Sequence, residues 1–535
     1  MQVISGQLVD LFSREIHPAA VTIFGGKITA IARVEEAPEG FLIPGFVDAH
    51  VHVESSMLPP CEFARIAVRH GTVATVSDPH EIANVLGVEG VEFMLNEAKR
   101  TPFKFCVGAP SCVPATTFET AGGEIDVAGV EGLLAREDVG YLSEVMNWPG
   151  VLGGDPGMLA KIAAAKAVGK RVDGHAPGLR GEDAKRYAAA GIETDHECFT
   201  LEEAIDKIDA GMLIAIREGS AAKNFAALEP LLKSHPESCL LCSDDVHPNA
   251  LVKGHVDRLV ARAVAGGADV FDVLTAACRR PVEHYGLSVG MLRVGDAADF
   301  AVVEDLTDFR VRETWIDGEC VARNGKSSIE HLEVGEVVNR FVSREVGAEE
   351  LGADASGLVN VIEAREGQLV TGAAVADVGD ADVLKIVVVN RYEDAAPAIG
   401  FVRGFGLKRG AIASSVAHDS HNVVAVGTTD AELARAINAI MDARGGVCAV
   451  EGEDMVVLPL AIAGLMATGD GDEVAARYER VADFATERLG ATLGDPFMTL
   501  SFMALLVIPD LKMSDRGLFS GAEFEFRDVG ARGSQ

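Results

Sequence analysis

The chain is poor in basic residues relative to acidic ones. Its 535 residues include 47 Lys and Arg against 81 Asp and Glu, and the formal net charge is −34 at pH 7. Nucleic acids and anionic membrane surfaces are bound through clusters of cationic side chains. The acidic balance therefore argues against both as partners, and its simplest role is to keep the protein in solution.

Cysteine is scarce and long apolar segments are lacking. The nine cysteines are scattered, and their odd number predicts no disulfide framework, so a reducing, cytoplasmic location is expected. Residues 1–10 have the alternation of a strand and lack the basic and apolar regions of a secretory signal. No uninterrupted apolar stretch is long enough to span a bilayer. These features argue against a disulfide-stabilised secreted domain and an integral membrane protein.

The length of the chain and the changes in its residue pattern predict several domains, because 535 residues are too many for one core. Residues 1–42 and 289–325 alternate apolar and polar side chains, and we predict that they pair as a small β-sandwich. Between them, residues 43–288 repeat an apolar strand followed by a helical stretch. A linker rich in Ser and Glu runs from about 325 to 350. Residues 345–535 are predicted to be a C-terminal α+β domain that is helical over Ala434–Met441.

Eight strand–helix units between residues 43 and 288 predict a (β/α)8 TIM-like barrel. In such barrels the active site forms from the residues at the C-terminal ends of the strands. Polar side chains follow most of the apolar runs, as that position requires. The predicted strands are Phe46–His50, Thr72–His80, Phe103–Gly108, Gly140–Glu144, Arg171–His175, Ile192–His196, Met212–Ile216 and Cys239–Asp244.

The first of these strands ends in His50-Val51-His52. Residues i and i+2 of a strand point to the same face, so the two imidazoles can bind one divalent metal ion. Four imidazoles and two carboxylates at strand ends are more than one ion needs, and they predict two ions about 3.5–4 Å apart, bridged by a carboxylate and a hydroxide. Nitrogen and oxygen donors suit Mn, Fe or Zn. The predicted ligands are His50, His52, Glu144, His175, His196 and Asp244.

Phe46-Val-Asp-Ala-His-Val-His52 resembles the first-strand motif of the amidohydrolase superfamily. His175, His196 and Asp244 match the ligands of that superfamily on strands five, six and eight. Dihydroorotases and hydantoinases usually carry a carboxylated Lys on strand four, where this chain has Glu144. That difference argues against a hydrolase of cyclic amides.

Longer phrases resemble the large metal-dependent bacterial adenine deaminase family, and the resemblance covers nearly the whole chain. It implies hydrolysis of adenine, a small purine base, to hypoxanthine and ammonia, by two divalent ions of which Mn is the first expectation. It also implies association into homo-oligomers. The phrases that carry it are His52–Met57, Ser77–Val85, Asp173–Pro177, Thr194–Glu197, Ile216–Ser220, Cys242–Pro248, His418–Asn422 and Leu458–Leu465.

The resemblance also implies residue roles. Glu144 would bridge the two ions, and hydroxide would attack C6 of the purine. Asp244 would take the water proton and pass it toward the ring or the leaving amine. Negative charge then develops on N1 of the ring, so a protonated group must donate a hydrogen bond there.

Four residues are predicted to contact the substrate. His80, Glu81 and Asp245 are candidates, and Arg217 either recognises the ring or packs against Glu218 in its loop. His418 and His421 are expected to face solvent, although closure over the barrel mouth or binding of a further metal remains open.

Two alternatives to adenine deamination are weighed. The chain could be another hydrolase of the same superfamily, acting on a related amidine or a cyclic amide, or a scaffold without catalysis. Scaffolds lose metal ligands, whereas this chain keeps all six, so an enzyme is favoured. The deaminase class with an H-x-E and P-C-x-x-C signature is excluded, because His52-Val-Glu54 has no such partner.

Overall fold

The N-terminal segment forms strands, as its alternation of apolar and polar side chains predicts. In the computed structural model the described residues are 1–220, 223–353 and 357–531. The first strand pairs antiparallel with the second over its whole length and parallel with the fourth. These strands are β1 (Gln2–Asp10), β2 (Glu15–Phe24), β3 (Lys27–Arg33) and β4 (Phe41–Pro44).

Eight parallel strands follow, and each overlaps one predicted from the sequence. The second ends at Ser77, before the predicted end at His80, because Asp78-Pro79 leads directly into a helix that begins at His80. The strands are β5 (Phe46–Val51), β6 (Thr72–Ser77), β7 (Lys104–Ala109), β8 (Val139–Val145), β9 (Arg171–Gly174), β10 (Thr194–Asp195), β11 (Leu213–Arg217) and β12 (Cys239–Cys242).

Backbone hydrogen bonds join these strands into a TIM-like barrel. Strands β5 to β9 form one parallel sheet and β10 to β12 another. The N–H of Glu193 donates to the carbonyl of Val172 (2.9 Å), which links the two sheets on one side. On the other side the N–H of Asp244 donates to the carbonyl of His50 (2.9 Å), and the N–H of His52 donates back to Asp244 (3.3 Å). The first and last strands therefore meet where the predicted ligands lie.

Helices alternate with the strands and bury their apolar faces against them. Residues Val256–Ala265 are typical, because the buried side chains recur at a spacing of three and four residues. The helices are α1 (Pro60–Ala67), α2 (His80–Leu86), α3 (Val88–Ala98), α4 (Val127–Leu134), α5 (Trp148–Gly153), α6 (Pro156–Ala167), α7 (Gly181–Ala189), α8 (Leu201–Asp209), α9 (Phe225–Leu228), α10 (Leu231–Ser234), α11 (Pro248–Leu251), α12 (Val256–Ala265), α13 (Val270–Leu274) and α14 (Arg280–Tyr285).

After the barrel the chain returns to the N-terminal strands. Phe300–Val303 pairs antiparallel with β4, and the result is one eight-stranded sheet in the order β16-β15-β14-β13-β4-β1-β2-β3. The rings of Phe300 and Trp315 stack on one face of this sheet, with centroids 5.6 Å apart. The four returning strands are β13 (Phe300–Val303), β14 (Val311–Ile316), β15 (Glu319–Arg323) and β16 (Lys326–Ser327).

Among the residues that the structure describes, the C-terminal part contains a second eight-stranded sheet, a three-stranded sheet and three α-helices. The sheet has the order β18-β17-β20-β19-β22-β21-β23-β24. No helix among the described residues is both long enough and apolar enough to cross a membrane. The elements are β17 (Leu358–Glu363), β18 (Gly372–Asp377), β19 (Leu384–Val389), β20 (Ala398–Arg403), β21 (Ala411–Ser414), β22 (Val423–Gly427), α15 (Asp430–Ala443), β23 (Gly446–Glu451), β24 (Asp454–Pro459), α16 (Gly471–Asp483), α17 (Pro496–Phe502), β25 (Leu511–Ser514), β26 (Gly517–Ser520) and β27 (Glu525–Phe526).

This C-terminal part packs directly on the barrel. The N–H of Ala467 donates to the carbonyl of Met57 (2.9 Å), and the guanidinium of Arg65 contacts the carboxylate of Asp470 (2.9 Å). Apolar side chains of both parts lie in one continuous core, so neither face is left open to water. Members of this shared core are Phe63 from the barrel and Leu465, Met466 and Phe497 from the C-terminal part.

A buried hydrogen-bond network holds the first and last barrel strands together. The carboxylate of Asp48 accepts from the N–H of Ser243 (2.9 Å) and from Nε2 of His255 (2.8 Å). Nδ1 of the same imidazole contacts the hydroxyl of Thr72 (2.8 Å). Asp48 is completely buried, so its loss leaves donors that water cannot reach.

We expect Asp48→Ala to lower the free energy of unfolding by about 3 kcal/mol, because buried donors are left without an acceptor. Thermal or urea denaturation checks this value. The control is Asp209→Ala, which removes an exposed carboxylate at the end of α8. Equal stability of the two variants would contradict a role for this network in closing the barrel.

Candidate metal centre

The six predicted ligands come together at the C-terminal ends of the barrel strands. Each lies at the end of its strand or within two residues of it, where the chain leaves the sheet. All are buried, with at most 6% of their surface exposed: His50, His52, Glu144, His175, His196 and Asp244.

Four of these residues form a first cluster. The Nε2 atoms of His50 and His52 lie 3.2 Å apart, and Oδ1 of Asp244 lies 3.7 Å and 3.2 Å from them. The oxygens of Glu144 lie 3.8 Å from the same two nitrogens. Donors that share one ion at bonds of about 2.0–2.2 Å are separated by roughly 3–3.5 Å. Two of these separations lie in that range and the other three are slightly longer, so small side-chain shifts would give the spacing of a metal site.

Glu144 also belongs to a second cluster. Its Oε2 lies 3.0 Å from Nδ1 of His175 and 2.9 Å from Nε2 of His196. These three residues form one of the groups whose donor atoms could hold an ion. The buried Nε2 of His175 has no hydrogen-bond partner among the described residues. A single carboxylate thus lies between two sets of imidazoles.

The donor set suits a divalent metal. Imidazole nitrogens and carboxylate oxygens are the donors that bind Mn, Fe and Zn. The two carboxylates, Glu144 and Asp244, carry negative charge in a place that water does not reach, and such charge requires a cation. The residues present therefore fit a metal centre.

Burial and neighbouring charges act in opposite directions on the pKa values of the predicted ligands. Burial, together with the neighbouring His196 and His52, lowers the pKa of His50 well below its usual range, which keeps the ring neutral. Burial alone would raise the pKa of Glu144, but His175 and His196 outweigh it and hold that pKa well below the usual range. Burial also lowers the pKa of His52, His175 and His196, but neighbouring carboxylates outweigh it and raise all three pKa values above the usual range. Because neutral imidazole and ionised carboxylate are the ligand forms, binding of a metal requires these three rings to lose a proton.

Asp244 has a left-handed backbone, with φ of 59°. A residue with a side chain rarely adopts this conformation, although Asp tolerates it better than most. The cause is the pair of backbone hydrogen bonds with His50 and His52, which fix both sides of the Asp244 peptide. This backbone strain holds the carboxylate against the two imidazoles.

Arg217 is buried between two carboxylates. Its guanidinium contacts Asp244 and binds Glu197 with both terminal nitrogens (2.5 Å and 2.8 Å). The side chain also borders the cavity above the ligands. Its partner is Glu197 and not Glu218, whose carboxylate contacts Arg262 (2.6 Å). Recognition of the ring by Arg217 stays a prediction.

Asp78 is a functional candidate that the sequence analysis did not single out. Its carbonyl lies 3.1 Å from Nδ1 of His52, and its carboxylate accepts from the hydroxyl of Ser143 (2.8 Å) and the N–H of Glu144 (3.3 Å). These contacts orient His52 and Glu144, as hydrogen-bond partners of metal ligands do in metal sites generally. The sequence feature that could have identified Asp78 is its position directly after strand β6.

The predicted substrate contacts His80, Glu81 and Asp245 all border the cavity above the ligands. Nδ1 of His80 lies 3.3 Å from Oε1 of Glu144. Asp245 accepts a hydrogen bond from the hydroxyl of Ser55 (2.5 Å). The structure brings these three together with the ligands, and their contact with substrate stays a prediction.

The expectation that His418 and His421 face solvent is wrong. Their side chains are 3% and 0% exposed, because the loop between β21 and β22 is covered by the mouth of the barrel. Both rings contact the carboxylate of Glu81. The C-terminal part therefore supplies one wall of the cavity, through Leu369, His418, Asp419, Phe502 and Leu505.

Removal of metal with a chelator is expected to lower the thermal midpoint of unfolding, and reloading with Mn²⁺ to restore it. A ligand at a hundred times its Kd stabilises the folded state by about 2.7 kcal/mol. Glu144→Gln should reduce both the stabilisation by metal and the amount of metal bound. Glu202→Gln, at an exposed glutamate of α8, should change neither. Calorimetry with metal analysis checks this. Identical midpoints for the stripped and loaded wild type would contradict a metal centre.

Comparison with known proteins identifies the family. A family model described as Amidohydrolase family matches residues 41–321, and one described as Adenine deaminase C-terminal domain matches residues 361–525. The adenine deaminase of Salinibacter ruber is 58% identical, over 98% of this chain and 98% of its own length. Those of Sulfurovum sp. and Methanosarcina acetivorans are 57% and 50% identical, over 97% and 98% of this chain and 98% of their own lengths. The chain belongs to the adenine deaminase family of amidohydrolases.

Proposed function

We propose that the protein hydrolyses adenine to hypoxanthine and ammonia at a centre of two divalent metal ions. The observation that carries this proposal is the shared position of six buried nitrogen and oxygen donors at the strand ends of a chain that is similar over nearly its full length to adenine deaminases. Water adds at C6 of the purine, and the amine leaves as ammonia.

His50, His52, Asp244 and Glu144 would hold one ion, and Glu144, His175 and His196 the other. When bound, the ions lower the pKa of water, so that hydroxide is available near neutral pH, and they stabilise developing negative charge. Manganese is the expected metal, while iron and zinc suit the same donors. The position of Glu144 between the two sets of imidazoles supports its role as the bridge.

Asp244 handles the proton that water releases. Its carboxylate would accept that proton and deliver it to the ring or to the leaving amine, so that ammonia departs as a neutral molecule. The contacts of Arg217 and His52 with this carboxylate support the role, because they fix its orientation. The left-handed backbone at Asp244 limits its movement further.

His80 is the strongest candidate for the donor to N1 of the ring. Its Nδ1 lies 3.4 Å from Oδ2 of Asp78, and its Nε2 lies 3.5 Å from Oδ1 of Asp419. These two carboxylates favour a protonated ring at the edge of the cavity. Asp245 and Arg217 would contact other parts of the purine.

The remaining features of the proposal concern organisation. Residues 1–42 and 289–325 would form the β-sandwich, 43–288 the catalytic barrel and 345–535 the C-terminal α+β domain. A cluster that joins Ile28 of β3 to Trp315 of β14, which lie far apart in the sheet order, supports the sandwich. We propose further that the protein forms homo-oligomers and acts in the cytoplasm.

Ammonia release from adenine by the Mn-loaded protein tests the function, with cytosine and dihydroorotate as control substrates. Asp244→Asn should reduce kcat at least about 100-fold, because the group that moves the proton is lost. Asp209→Asn, at an exposed position, should retain activity. Absence of release from all three substrates by protein that carries two metals would exclude adenine as the substrate.

A further inference from the structure

The loop of residues 415–422 brings polar side chains from the C-terminal part into the barrel mouth. It connects β21 to β22, and its side chains are at most 4% exposed. The N–H of His418 donates to the hydroxyl of Ser501 (3.3 Å), and the amide of Asn422 donates to the carbonyl of Thr120 (2.9 Å) in the barrel. The loop is thus anchored on both sides of the cavity.

The two nitrogens of His418 have different surroundings. Nδ1 contacts Oε1 of Glu81. Nε2 has no hydrogen-bond partner among the residues that the structure describes, although it is buried. It lies 3.9 Å from Oδ1 of Asp245, the residue next to the ligand Asp244, and the ring borders the same cavity as the ligands. A buried polar nitrogen at a cavity surface is suited to a bound polar ligand.

Glu81 fixes the orientation of this ring. Its second oxygen contacts Nε2 of His421, while Nδ1 of that imidazole accepts a hydrogen bond from the N–H of Ala417 (3.2 Å). Nε2 of His421 therefore carries the proton and faces the carboxylate of Glu81. The other oxygen of the carboxylate contacts Nδ1 of His418, so Nε2 is the nitrogen of this cavity-lining ring that has no partner among the described residues.

An aromatic side chain completes this wall. The ring of Phe502 lies against that of His418, with centroids 5.3 Å apart and an angle of 41°. A flat apolar face beside one polar nitrogen matches a planar heteroaromatic ligand, which offers stacking surface and ring nitrogens. The predicted metal ligands line the barrel side of the same cavity, so a purine with its reacting carbon at those ligands can present another part of its ring to this wall.

We propose that His418 binds the purine directly, through a hydrogen bond between its Nε2 and a ring nitrogen other than N1, and that Glu81 and His421 are positioning residues for it. This inference rests on the proposed deamination of adenine. It makes the C-terminal domain part of the substrate site. Glu81 then affects substrate binding by orienting His418.

The first test replaces the imidazole while it keeps the ring shape. His418→Phe should lower kcat/KM for adenine about 10- to 100-fold, the range for loss of one polar contact in a site built to make it. His418→Gln, whose amide reaches the position of Nε2, should recover part of that loss. His235→Gln, at a half-buried histidine before β12, is the matched control and should retain wild-type values. Metal content should be unchanged in all three.

The second test identifies the contact by substrate analogues. 3-Deazaadenine, 7-deazaadenine and 9-deazaadenine each alter one ring nitrogen, and their inhibition constants can be measured against adenine. For one of them, wild type and His418→Phe should bind equally, because the partner atom is already absent. For the other two, the variant should show its full loss.

Glu81→Gln provides the test of positioning. It should lower kcat/KM in the wild-type background and have little further effect in His418→Phe, because the two side chains act as one unit. Equal losses with all three analogues, additive effects of the two substitutions, or wild-type kcat/KM in His418→Phe would each overturn the inference. Inactivity of the wild type on adenine would instead overturn the proposed function.

Discussion

The charge of one buried carboxylate constrains the whole site. Glu144 lies between two sets of imidazoles, away from water, and its negative charge is tolerated only beside cations or strong donors. Asp78 fixes the position of Glu144, because the carboxylate of Asp78 accepts hydrogen bonds from the backbone N–H of Glu144 and from the hydroxyl of Ser143. The arrangement concentrates charge at the strand ends, and the barrel supplies the rigidity that keeps like charges at fixed separations. The buried charges that set the geometry of the site are therefore also the charges that are costly to bury.

The C-terminal domain changes the medium in which these charges interact. It covers the barrel mouth with Leu369, Phe502 and Leu505, and water is removed from the side of the cavity that the barrel leaves open. Electrostatic interactions are stronger in such a site than in water, and reactive species are protected from side reactions. The buried Lys512 supports this cover, because its ammonium donates to the carbonyls of Leu369 (2.7 Å) and Phe502 (2.9 Å). Burial lowers the pKa of this lysine to about 7, so the cover contains a charge that is itself costly to bury.

The sequence predicted the barrel strands and the clustering of the six candidate ligands because both follow from local rules. Apolar runs of strand length can be read directly, and polar residues at their C-terminal ends are brought to one place by the barrel itself. His418 could not be placed in this way, since its burial depends on packing against the barrel, where its partner Glu81 lies far earlier in the chain. The same limit applies to Asp48 and His255, which the sequence gives no reason to pair, and to Glu197, whose binding to Arg217 joins two different strand ends. The local sequence pattern predicts which residues reach the site, whereas the contacts between those residues depend on tertiary packing.

The closed form of the cavity sets a condition on catalysis. The free space above the ligands is about 20 Å³, which is close to that of one water molecule and far below that of a purine. A purine therefore fits beside the predicted ligands only if side chains that line this space move. Movement of the wall would take His418 away from Glu81 and expose the carboxylates of Glu81 and Asp245 to water, which stabilises them. Closure reverses this hydration, and a purine that satisfies the free nitrogen of His418 offsets part of the cost. Binding of the correct base and assembly of the dry site are, on this argument, one coupled event.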